Sequence, residues 1–402
     1  MIIDTLDELQ EACRLMRGAK QLGVDTETNG LHAYKPRVCI IQVSDGEREW
    51  LIDTLAFHPA GAAAAQETPL SSPAAHELDP LLDILSDPSI LKILHGASHD
   101  IASLKEDYGR GIHNLFDTYI AAQLLDYPKT GLSSLVEKHF GVLLSKKLQK
   151  ADWAIRPLSD VACEYLRHDV SFLLRLCEKI RAELDVAGLA EEAELESRRL
   201  EATAATQPTF DGDGYWRMSG VDELSDEGVA FLQKLYRIRD HISSIENRPP
   251  FKMIPDSLLT LMAASRTRAE LTRIEFLRRK FMKTYLPEII EAFEETRNAR
   301  RPVRVRKHNH RTHRREAPDR NVRDQLEEAL KAWRKEEAAR RKISTMAVLP
   351  NHVMEALVFS PPRTLSDFET IPWIGRNRIA KYGDHIIALL QAAREKKAAT
   401  AT

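Results

Sequence analysis

Every strand-like run in this chain falls in its first half, and that asymmetry constrains the fold more than any other feature. Leu22–Val24, Val38–Val43, Trp50–Ile52 and Ile90–Leu94 are short and apolar, and helical patterns follow at Ile101–Tyr108, Thr118–Leu125 and Ser159–Leu184. That order predicts a mixed-sheet α/β domain over residues 1–200. One segment breaks the rhythm: residues 57–76, rich in Ala, Pro and Ser, read as a surface insertion before a helix near Leu78. Beyond about Arg199 the strands stop. Thr206–Gly214 is a turn-rich linker, and helical patterns at Glu227–Glu246, Asp256–Ala264 and Leu271–Phe281 predict a small all-α domain over 215–296. A basic linker over 297–320 leads to a second all-α domain over 321–396.

The two helical blocks share a plan. Each has a basic first helix with an aromatic residue (Leu235–Asp240; Leu330–Lys335), then a loop marked by an apolar residue before proline (Ile254-Pro255; Leu349-Pro350), then another helix. This is the pattern of a duplicated module. With 402 residues the chain is long enough for three such domains.

A formal net charge of −2 argues, taken alone, against a polyanionic partner. The average hides a stripe, Arg297–Arg315, that carries eight arginines, one lysine and no acid, and a local stripe can engage phosphate on a near-neutral protein. Four scattered cysteines without a CxxC pair fit buried thiols in a reducing compartment. No secretory signal or membrane-spanning run is visible, so the expectation is a soluble, cytoplasmic protein.

Three acidic settings carry the chemistry. Asp25 and Glu27, in GVDTET, lie one residue apart at the end of a strand, so period-two geometry turns both carboxylates to one side. Two acids so placed repel unless a cation sits between them, and hard divalent ions prefer oxygen ligands. Taken alone, a D-x-E reads rather as a strand running into an acidic turn. Asp100, in ILHGASHDI, opens a helix and taken alone reads as an N-cap. Tyr165 and Asp169, in CEYLRHDV, are spaced i, i+4 on one helical face among apolar neighbours. A carboxylate beside a buried face is costly unless paired or metal-bound.

Together, D-x-E after a strand, then H-x-x-x-D, then Y-x-x-x-D on a late helix resemble the DEDD exonuclease superfamily, Tyr subclass, and the ribonuclease D family in particular. The intervening Asn114–Leu125, Gly131–Trp153 and Ile155–Val170 also look like that family. The resemblance implies a ribonuclease-H-like α/β exonuclease domain followed by two small all-α HRDC-type domains; the Asn247-Arg248-Pro249-Pro250 run matches the HRDC pattern closely, and the C-terminal block resembles a more divergent copy. It implies a 3′→5′ exoribonuclease that hydrolyses phosphodiester bonds at RNA 3′ ends, trimming tRNA precursors and other structured RNAs to nucleoside 5′-monophosphates. Two divalent metal ions, Mg²⁺ or Mn²⁺, would be held by Asp25, Glu27, Asp100 and Asp169, and Tyr165 would orient the attacking water. Gln42, His95, Lys146, Gln149 and Arg156 are the expected substrate contacts, although for Arg156 a loop salt bridge stands level. RNA 3′ ends are the expected partner, with no membrane and no obligate protein partner. The chain departs from the family at Thr28, where Phe is usual, and at Leu166, where Ala is usual. The helical half would grip RNA, with Leu271, Phe276 and Leu277 in its core, and the nuclease half would be separable after about Ala205.

Overall fold

In the computed structural model the described residues are 2–57, 77–205, 210–304 and 318–400, with side chains to 393. Nearly all of the expected insertion and most of the basic stripe therefore lie outside the described residues. The chain divides into two compact units, one of Met1–Glu27, Val38–Thr206 and Arg311–Thr402, the other of Thr28–Arg37 and Gln207–His310.

The first unit opens with β1 (Ile2–Ile3), α1 (Leu6–Met16), β2 (Gln21–Thr28), β3 (Val38–Ser44) and β4 (Glu49–Asp53). It continues through α2 (Asp79–Ser86), β5 (Leu91–Leu94), α3 (Ser98–Tyr108), β6 (Leu115–Asp117), α4 (Thr118–Leu124) and α5 (Leu132–Phe140). Helices α6 (Asp160–Ser171), α7 (Leu173–Ala187) and α8 (Ala190–Glu201) follow. The strands form one mixed sheet in the order β1-β4-β3-β2-β5-β6. β5 runs parallel to both neighbours, with Gly23 opposite Ile93 and Ile93 opposite Phe116, while β3 and β4 are antiparallel, with Gln42 opposite Leu51. The predicted strand at residues 22–24 extends through both acids of the D-x-E motif. The helix predicted over residues 159–184 is instead two helices. Ser171 Oγ takes the Arg167 carbonyl as acceptor at 2.6 Å, a back-bond that bends helices, and the chain breaks at Phe172.

Gly23 sets how closely that break approaches the sheet. A Cβ there would stand 3.0 Å from Leu174 Cδ1 and 3.2 Å from the Val170 carbonyl oxygen. The missing side chain lets the α6–α7 junction settle against β2, two residues from Asp25 on one side and one residue from Asp169 on the other.

The second helical block, α14 (Arg320–Arg341), α15 (Thr345–Val348), α16 (Asn351–Phe359) and α17 (Arg376–Thr400), belongs to this same unit. Leu326, Leu330, Val348, Leu357 and Ile386 join one apolar core with Leu124 and Leu189 of the α/β portion. The seam is also polar. The Glu191 carboxylate accepts the backbone N–H groups of Arg376 and Asn377 at 3.0 and 2.6 Å, and Ser344 Oγ donates to the Leu124 carbonyl at 3.2 Å. Glu196 is 0% exposed, paired with Arg199 at 2.9 Å and facing His352 at 3.5 Å. The expectation that the nuclease half ends cleanly near Ala205 is thus corrected, because its last helix buries charge and apolar surface against the C-terminal block.

The other unit contains α9 (Asp226–Ile245), α10 (Pro250–Met253), α11 (Asp256–Ala263), α12 (Arg268–Arg273) and α13 (Leu286–Glu295). Ser225 caps α9 by accepting the Gly228 N–H at 3.1 Å. Leu235, Ile242, Leu259, Met262, Leu271, Leu277 and Phe293 fill its core. The helix expected over 271–281 is a short helix and two 3₁₀ turns, Glu275–Arg278 and Lys280–Lys283. This brings the sequence neighbours Phe276 and Leu277 both inward, as expected of core residues. The Thr28–Arg37 segment is tied in by Tyr34, whose hydroxyl donates to Asp240 at 2.8 Å and whose N–H donates to Asn247 Oδ1 at 3.2 Å.

The duplication seen in sequence recurs as chemistry. In the first block Arg239 Nη1 donates to the Ile254 carbonyl at 3.1 Å and to Asp256 at 2.5 Å. In the second, Arg334 Nη1 donates to the Leu349 carbonyl at 2.8 Å and to Asn351 at 2.7 Å. Each arginine staples the first helix of its block to the residues that flank the loop proline. Among the described residues, no helix is long and apolar enough to cross a membrane.

Candidate active site

The acids predicted from sequence converge. Asp25, Glu27 and Asp169 each place a carboxylate oxygen within 4.8 Å of the others. Asp25 and Glu27 reach this point from alternate positions of β2, and Asp169 from the last turn of α6. That helix starts at the Ser159 cap and packs Ala162, Cys163 and Leu166 onto β3 and β4. Leu166, where the family usually has Ala, is completely buried in this small core.

Asp100 is held alongside. Its Oδ1 accepts the Thr26 hydroxyl at 2.5 Å and the Thr26 N–H at 3.2 Å, so it is tied to the residue between the two β2 acids. It lies three residues into α3, whose N-cap position is Ala97, so the N-cap reading of this residue is set aside. Its charge acts on Asp25 and Glu27 from there.

The turn that presents Asp100 depends on a residue the sequence analysis quoted only within a motif. Asp117 is 1% exposed and accepts four backbone N–H groups: Gly96 at 3.0 Å, Ala97 at 2.8 Å, Tyr119 at 2.8 Å and Ile120 at 3.1 Å. It both caps α4 and pins the corner before α3, where Gly96 takes a φ of +81°. Its place just before a helical run was a legible cap signal; its second role, across 21 residues, was not.

Electrostatics mark the cluster as a cation site. Burial raises the pKa of Asp25 well above the carboxylate range, and Asp100, Asp169 and Glu27 push it further the same way. Glu27 is pushed up to about 8, by burial first and then by Asp169 and Asp100. Asp169 is pushed up to about 7 by burial. None of the charges acting most strongly on these three is a cationic side chain, so a bound cation would offset their mutual repulsion. All-oxygen donors at this spacing fit a divalent cation. Tyr165, one turn before Asp169, has its pKa raised by burial and the same acids, and keeps its phenolic proton at neutral pH.

The predicted substrate contacts divide. Lys146 and Gln149 are exposed on the loop between α5 and α6 and are free to meet an incoming strand. His95 is engaged by Thr118 at 3.0 Å and set edge-on to Tyr119, and burial pulls its pKa down to about 4, so it is neutral at pH 7. Gln42 is 0% exposed on β3, and neither its Oε1 nor its Nε2 has a hydrogen-bond partner. Arg156 is corrected to the loop salt bridge. Its Nε and Nη2 grip Asp53 at 2.5 and 2.6 Å, and its remaining N–H groups go to the carbonyls of Trp153, Ile155 and Cys39 at 2.7, 2.9 and 3.2 Å. Five donors meet five acceptors, leaving none for phosphate.

Comparison with known proteins agrees with this geometry. A family model described as a 3′-5′ exonuclease matches residues 1–185, and the HRDC domain model matches residues 229–293 and 323–390. The chain is 30% identical over 276 residues to the exosome complex exonuclease RRP6 of Saccharomyces cerevisiae, and 29% identical over 262 residues to the exosome complex component 10 homolog of Caenorhabditis elegans. These matches take in 65% and 64% of this chain but only 35% and 28% of those proteins, so the chain spans about a third of the length of the curated relatives it matches. The fold is shared with Escherichia coli RNase D, described as an exoribonuclease involved in structured RNA processing (TM-score 0.64, 23% identity, 98% of each chain). It is also shared with a Bifidobacterium adolescentis protein (TM-score 0.73, 20% identity, 97% of this chain and 96% of that one).

Proposed function

We propose that this chain, a 3′-5′ exonuclease domain joined to two HRDC domains, removes nucleotides from RNA 3′ ends by metal-dependent hydrolysis. The observation that carries this reading is the cluster of Asp25, Glu27 and Asp169 within 4.8 Å, with Asp100 bonded beside it and no cationic side chain among the groups acting most strongly on those three. Divalent ions bound there would lower the pKa of an attacking water and neutralise the oxygen that leaves.

The chain's own residues would do the rest. Asp25, Glu27 and Asp169 would hold the ions, with Asp100 supporting them. The Tyr165 hydroxyl, protonated at neutral pH, is suited to hold the water in line rather than to take its proton. Water oxygen bonds to phosphorus, the bond from phosphorus to the 3′-oxygen breaks, that oxygen gains a proton, and a nucleoside 5′-monophosphate is released. Lys146 and Gln149 are placed to meet the strand. Structured RNAs with 3′ extensions, tRNA precursors among them, are the proposed substrates, and Mg²⁺ or Mn²⁺ the proposed ions.

The test is a digestion of matched 5′-labelled RNA and DNA oligonucleotides and a 3′-extended tRNA, first in chelator and then with Mg²⁺ or Mn²⁺ restored. Stepwise 3′ shortening of RNA, dependent on the ion, is expected. Internal cuts, ion-independent cleavage or a clear preference for DNA would overturn the reading.

A further inference from the structure

Trp153 lies in the irregular loop between α5 and α6, yet it is only 2% exposed. A large side chain so buried on a loop needs a reason, and three features supply one. Its ring stacks on Tyr165, with centroids 5.8 Å apart and planes 30° from parallel. Its indole N–H is buried without a hydrogen-bond partner, which costs free energy unless something else requires it there. That N–H lies beside Glu27 but stops short of hydrogen-bond geometry. The ring therefore stands between the tyrosine and one of the acids.

The loop is not free to drift from this position. Arg156 grips Asp53 at the end of β4 with a two-pronged ion pair and donates to the Trp153 carbonyl at 2.7 Å. Asp53 is itself fixed by the Leu55 N–H at 3.1 Å, and Asp152 accepts the Ala154 N–H at 3.1 Å. The tryptophan joins Cys39, Ile40, Leu51, Leu55 and Leu166 in the small core beneath α6. A chain of contacts thus runs from the sheet edge through Arg156 to the indole, and from the indole to Glu27 and Tyr165.

We infer that Trp153 is a positioning residue for the hydrolytic site: its N–H donates to Glu27 once that carboxylate carries a cation, its ring fixes the rotamer of Tyr165, and the Asp53–Arg156 pair locks it in place. A carboxylate that ligates an ion through one oxygen has the other free to accept, and such outer partners orient ligands and tune affinity. The inference rests on the site proposed above, so wild-type activity and Mn²⁺ binding serve as its controls.

Trp153→Phe keeps the ring and removes the N–H. It is expected to lower kcat by roughly tenfold with KM within about twofold, and to weaken Mn²⁺ binding, read by paramagnetic resonance without substrate, by about three- to tenfold. In a Trp153→Leu background, which loses the stack as well, Tyr165→Phe should have much less effect on kcat than in the wild type, because the hydroxyl it removes is no longer held in place. Arg156→Lys keeps the charge but not the fork and should lower kcat in the same direction. If Trp153→Phe folds and retains wild-type kcat and Mn²⁺ affinity, or if the Trp153→Leu and Tyr165→Phe effects simply multiply, the inference fails while the nuclease reading stands. Should Trp153→Phe not fold, Arg156→Lys decides, and an unchanged kcat there overturns the proposal. A wild-type protein without ion-dependent cleavage would instead remove the functional reading itself.

Discussion

Removing one charge from the acidic cluster should stabilise the ion-free protein and destabilise the loaded one. Two unit charges 4.8 Å apart repel by about 3.5 kcal/mol at an effective dielectric of about 20. Asp25→Asn removes two such pairs, with Glu27 and with Asp169, and also the repulsion from Asp100. Protonation already relieves part of that repulsion, so a net gain of roughly 2–4 kcal/mol is expected at pH 8 in chelator. The pH dependence follows from the same groups. Glu27 titrates near 8 and Asp169 near 7 in the fold, against ordinary values of 4.5 and 3.8. Acids with raised folded pKa values bind protons that the unfolded chain has released, so their contribution is fully present below about pH 4 and is lost as pH climbs to about 8. The ion-free wild type should therefore lose roughly 5–10 °C in Tm between pH 5 and 8, and Asp25→Asn should lose much less. Adding Mg²⁺ or Mn²⁺ at pH 8 should reverse the ranking, since the variant lacks one of the charged ligands, and its turnover should vanish. Differential scanning fluorimetry across pH, with and without the ion, reads all of this. Parallel pH profiles for the two proteins in chelator, or equal stabilisation of both by the ion, would refute the charge-repulsion argument.

Three further outcomes are expected. Tyr165→Phe should lower turnover by about 10²-fold or more while RNA affinity measured by anisotropy stays near wild type; an unchanged rate would make Tyr165 only a packing residue. Asp117→Ala strands four backbone N–H groups, two of them buried, and should cost about 3–5 kcal/mol in chemical denaturation, with loss of turnover as the Asp100 corner loosens. Truncation after Ala205 should give a fragment that melts far below the full chain or aggregates, because Glu196 and its apolar neighbours lose their cover; a cooperative melt at the wild-type temperature would show that the C-terminal block is dispensable to the fold.

The helical half was expected to be a device for gripping RNA. The structure separates its two blocks in this respect. The second is built into the core of the α/β unit, while the first groups apart and displays Arg266, Arg268 and Arg273 on its surface. A salt-dependent backbone grip is accordingly better sought on the first block and on the basic stripe that follows it.

What the sequence determined by itself was the short-range geometry of the candidate site residues. One residue between Asp25 and Glu27 on a strand, and four from Tyr165 to Asp169 on a helix, each put two side chains on one face by backbone periodicity alone. The repeated plan of the helical blocks, a basic helix followed by a loop proline, was also legible, whereas the bonds that Arg239 and Arg334 make across it were not. Tertiary structure decided the rest, where a residue's role depends on which distant partner takes its hydrogen bonds. Asp100 is a cap by local rules and a neighbour of Thr26 only because α3 lies against β2, 74 residues away in the chain. Arg156 is a phosphate ligand or a structural clamp according to whether Asp53, 103 residues earlier, reaches it first, and no periodicity records that choice. The same holds for Trp153, whose burial on a loop is invisible until the strand, the helix and the ion pair that enclose it are assembled.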